Sequence, residues 1–119
     1  MILPNTQTQE KIGAARRFAE IMRQGLEGHL AAVRTHTDHE GSELLTAGNI
    51  ARYWELVERN IVAPLVAQVT PGVDGYAAVR ELRSFAQRLP ETFCFSRDAY
   101  ISSLGVALGY ARQLEATLQ

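Results

Sequence analysis

Residues 96–118, SRDAYISSLGVALGYARQLEATL, read as one helix whose apolar positions cover most of its circumference. Ser96 is a good N-cap, Asp98 sits in the first turn where the helix dipole favours an anion, and Phe95 is placed to staple onto Tyr100. Taken at about 100° per residue, Tyr100, Leu104, Ala107, Ala111, Leu114 and Leu118 form the main stripe. Ile101 and Leu108 flank it on one side, Val106 and Tyr110 on the other. A helix this apolar is expected to lie centrally among others, which makes the chain an all-α bundle.

The remainder supplies the wrapping helices. After a tail of residues 1–7, a first helix is expected over about 8–35, with Ala15, Phe18, Ala19, Met22, Leu26, His29 and Val33 on one face. Arg16, Glu20, Arg23, Glu27 and Arg34 fall opposite, and their i,i+4 pairs mark a solvated side. The second helix, about 46–69, has Ser42 or Thr46 as its start signal, and Thr46 as N-cap places Leu45 to staple onto Ile50. Its stripe is Ile50, Tyr53, Trp54, Val57, Ile61 and Leu65. Pro64 is expected to kink it, and the Thr70-Pro71-Gly72 run to end it. The third, about 74–89, buries Val79, Leu82, Phe85, Ala86 and Leu89 and stops at Pro90. With the last helix over 97–118, the sequence predicts a single-domain, up-and-down bundle of four helices, or five if Pro64 divides the second.

Composition narrows the function. A chain of 119 residues suits one domain with one core, and 46% hydrophobic residues against 8% aromatics suit a helical interior of aliphatic side chains. The formal net charge of -1 gives no field that would steer the chain to a polyanion, so nucleic acid is not an expected partner. All basic residues but Lys11 are arginine, a bias expected of a GC-rich, bacterial-type coding sequence. The one cysteine, Cys94, excludes an internal disulfide and is expected to be a small buried hydrophobe between Phe93 and Phe95. With no leader pattern at Met1 and no membrane-length apolar run, a cytoplasmic location is expected.

Few stretches carry recognisable chemistry. His36-Thr37-Asp38-His39-Glu40-Gly41-Ser42-Glu43 gathers imidazoles and carboxylates, with His36, His39 and Glu40 the candidate metal ligands. The stretch falls in an interhelix loop, where polar residues belong anyway. Glu55 and Glu58, the carboxylates able to face it, lack the Glu-x-x-His pairing of di-iron bundles. The spacings Arg23 to His29 and Arg34 to His39 resemble the arginine-to-histidine motif of HEPN ribonucleases, small helical proteins, and imply an RNA-cleaving alternative. Eleven arginines and three histidines give about one such match by chance, and Arg23 and His29 point about 120° apart. His29, on an apolar stripe, reads as a core or interface histidine satisfied by one backbone or side-chain partner. A further alternative is a small-molecule pocket lined by Tyr53, Trp54, Phe85 and Tyr100. No cofactor motif is present, since Gly105 and Gly109 lie within a helical pattern rather than a phosphate loop.

The remaining signal is surplus apolar surface. Val62, Val66 and Val69 fall away from the Trp54 stripe, and Gly105 and Gly109, four apart, offer a close approach to another helix. The sequence therefore leads to a non-enzymatic regulator or adaptor that binds another protein, masking its dimerisation or ligand-binding surface. A homodimer is also expected, with Trp54, Val62, Val66, Val69, Gly105 and Gly109 as interface residues.

Overall fold

The computed structural model describes the backbone of residues 4–37 and 46–118, and side chains over 13–35 and 46–118. It is helical throughout apart from short connections, with no strand among the described residues. Helix α1 runs Pro4–Thr37, α2 Ala47–Val57, a π-type turn Glu58–Val62, α3 Ala63–Gln68, α4 Tyr76–Phe95 and α5 Arg97–Thr117. Because α2, the π turn and α3 form one continuous rod, the molecule is a bundle of four helical rods. The rods pack cyclically: α1 against α3 and α5, α5 against α4, and α4 against α2. Among the described residues no helix is long and apolar enough to cross a membrane.

The first helix begins at Pro4 rather than near residue 8, because proline's missing N–H costs nothing in a first turn, where that donor has no helical acceptor. Ala15, Ala19, Met22, Leu26 and Val33 are buried as the pattern predicts, joined by Leu30. The opposite side is less solvated than expected. Arg23 forks onto the Glu115 carboxylate of α5, with its Nη2 3.4 Å from Oε1, and also meets Glu27 at 3.1 Å. Arg112 approaches Glu27 at 3.5 Å, so this charged edge ties α1 to α5.

The second rod corrects the sequence reading. Thr46 caps it, accepting from Asn49 N–H at 3.1 Å. The partner assigned to Ile50 in the staple, Leu45, lies outside the described residues. Ile50, Trp54, Val57 and Leu65 are buried as expected. Val62 and Val69, assigned to the surface, are instead 0% and 1% exposed. The π turn is the cause. Ala63 N–H bonds Glu58 C=O, five residues back, so one extra residue is accommodated and the following chain rotates by about 100° relative to a straight helix. Val62 and Val69 thereby swing toward the side that Ile50, Trp54 and Leu65 occupy, and Val66 comes half-way in. Pro64 fits directly after the widened turn, having no N–H to donate and a ring that would press on the carbonyl four residues back in a regular helix.

Pro71 and Gly72 end the rod through two successive turns, Val73 N–H to Thr70 C=O at 3.0 Å and Tyr76 N–H to Val73 C=O at 3.1 Å. Gly75 precedes α4 with φ +96, a left-handed conformation that favours glycine, and a Cβ there would also push the end of the Leu114 side chain, 2.7 Å away. Helix α4 does not stop at Pro90 but continues to Phe95. The lost backbone bond is offset by burial of Leu89 and Phe93, 1% and 7% exposed, on either side of the proline. Ser96 alone then separates α4 from α5, accepting from Ala99 N–H at 3.2 Å with Asp98 in the first turn. Two helices joined by one residue and packed together must run antiparallel. Helix α5 buries Tyr100, Leu104, Ala107, Leu108, Ala111 and Leu114, yet Val106 remains 51% exposed, so one side of this helix stays uncovered.

Candidate functional site

The polar chemistry of the interior converges on the Tyr100 hydroxyl, which joins three elements. Trp54 on α2 donates its Nε1–H to Tyr100 Oη at 2.8 Å, and His29 on α1 lies with Nε2 2.7 Å from the same oxygen. The indole can only donate, so the hydroxyl accepts from Trp54; its one hydrogen finds an acceptor in this cluster when His29 carries its proton on Nδ1 and accepts at Nε2. In that arrangement His29 is neutral. Tyr53 stacks on the imidazole at 3.9 Å between centroids and 9° between planes, its own hydroxyl donating to Gly25 C=O at 3.5 Å. Phe93 closes the cluster edge-on to Tyr100 at 5.2 Å.

Burial sets the titration of these groups. It pushes His29 down to about 4, because the imidazolium would lose its water. It raises Tyr53 to about 12 and raises Tyr100 as well, the Trp54 hydrogen bond partly opposing it there. The cluster therefore holds its protons near neutral pH, and its one basic nitrogen is occupied by Tyr100. His29 is thus a part-buried histidine satisfied by a side-chain partner, within the core-or-interface reading of the sequence. Arg23 directs its guanidinium to Glu115 and Glu27, while His29 is bonded to Tyr100.

The other sequence-derived residues disperse. Trp54 is 1% exposed, which makes it core and removes it, with Val62 and Val69, from any surface. Of the residues that would line the alternative aromatic pocket, Trp54 and Tyr100 are buried in the core, while Phe85 pairs with Tyr110 at 6.1 Å between centroids. His39 and Glu40 lie outside the described residues, as does the side chain of His36, and the Arg34 to His39 spacing shares that position. Among the described residues no three potential metal ligands come together.

Gly105 and Gly109 are exposed, and a Cβ at either would meet nothing within 4 Å. Among the described residues no close helix crossing accounts for them. Replacing both with alanine is expected to stabilise the protein by about 1 to 2 kcal/mol through helix propensity, measured by urea denaturation. A loss of stability would show that something packs there.

Sequence reasoning missed the end of α4. Phe95 is 93% exposed and does not staple onto Tyr100, whose ring belongs to the core; Phe93 takes that contact instead. Cys94 is exposed too, contrary to expectation. The signal was available, since residues 93 and 95 sit about 200° apart on a helix and cannot both face inward. Beside Phe95 lies a depression of about 300 Å³ lined by Arg88, Glu91, Thr92 and Phe95 itself. Arg88 is held there by its own helix, with its guanidinium 5.2 Å from the Phe85 ring centroid and Nε donating to Ser84 C=O at 3.3 Å.

No protein-family model, curated protein sequence or solved structure matches the chain.

Proposed function

We propose that the chain is a non-enzymatic helical regulator or adaptor that acts by binding another protein and masking part of its surface. The observation that carries this reading is Phe95, a large aromatic 93% exposed at the α4–α5 vertex beside a depression rimmed by Arg88 and Glu91. An aromatic side chain in water with a guanidinium nearby has the composition of a binding hot spot, whereas isolated exposure of this degree contributes nothing to the fold. The interior histidine cluster contributes to packing and not to a reaction in this reading.

Parallel affinity capture from native lysate with the wild-type chain and with Phe95→Asp tests it. The expected result is a stoichiometric protein held by the wild type and lost from the variant. Equal capture by both chains would remove the surface from the proposal, and a bound small molecule or metal in place of a protein would overturn the reading.

A further inference from the structure

We draw no further inference here: the strongest candidate, the exposed Phe95 beside the depression lined by Arg88, Glu91 and Thr92 at the end of α4, belongs to the surface already described, and nothing in the structure shows what covers it.

Discussion

Replacing Trp54 with alanine is expected to lower the unfolding free energy by about 3 to 5 kcal/mol. The indole is 1% exposed, meets Tyr53 edge-on at 5.2 Å and donates to Tyr100 at 2.8 Å. Truncation therefore opens a cavity in the centre of the bundle and leaves a buried hydroxyl oxygen without its donor. Trp54→Phe separates the two effects, since it keeps most of the ring volume and withdraws only the N–H and part of the bicycle. Its expected cost is smaller, about 1 to 2 kcal/mol. Urea denaturation followed by far-ultraviolet circular dichroism measures both. An alanine variant within about 0.5 kcal/mol of wild type would be incompatible with a buried indole.

The second large effect is a loss of stability in acid that passes through His29. Its ordinary value of 6.5 applies to the unfolded chain, and burial lowers it to about 4 in the fold. Between those values the unfolded chain binds the proton and the folded one does not. The stabilisation is fully present above about pH 6.5 and is lost progressively as pH falls toward about 4. The full shift corresponds to about 3 kcal/mol. His29 is only part-buried, so solvent screening reduces the expected loss to about 1 to 2 kcal/mol.

Protonation also disrupts the hydrogen-bond order. With hydrogens on both His29 Nε2 and Trp54 Nε1 directed at it, the Tyr100 oxygen becomes acceptor twice and its own hydrogen loses its acceptor. The groups facing the imidazole from the packed elements are Tyr53 and Trp54 of α2 and Tyr100 of α5, none of them charged. His29→Gln tests the assignment because an amide oxygen still accepts from Tyr100 and does not titrate. Stability measured across this pH window should decline less steeply in the glutamine variant than in wild type. Parallel curves would place the acid sensitivity on other groups.

These two residues also show how far the sequence carried the candidate site. His29 was legible as a core or interface histidine because it lies on the apolar stripe of α1. Its partners were not, since Trp54 is 25 residues away along the chain and Tyr100 is 71, and no local pattern encodes a contact across three helices. The exposed end of α4 was hidden by a local rule. A hydrophobic residue just before an N-cap commonly staples onto the following helix, but Phe95 is also the last residue of a helix whose inward side is already taken by Phe93.

The sequence by itself determined the all-α class, the order of the helical rods, the N-cap at Ser96 and the inward face of α1. All of these follow from periodicity and from side-chain bonds reaching only three residues. Tertiary structure decided what happens at the prolines. Pro64 offers the chain a kink, an end or a widened turn; the π turn brings Val62 and Val69, which a straight helix would leave off the stripe, to 0% and 1% exposure. Pro90 likewise should end a helix in isolation, yet α4 continues because Phe93 finds Tyr100 beyond it. Local rules weigh a backbone hydrogen bond at about 1 kcal/mol, while burying a valine or phenylalanine side chain is worth about 1.5 to 3 kcal/mol. Where the two conflict, the apolar contacts decide the phase of a helix and thereby which residues remain at the surface to bind.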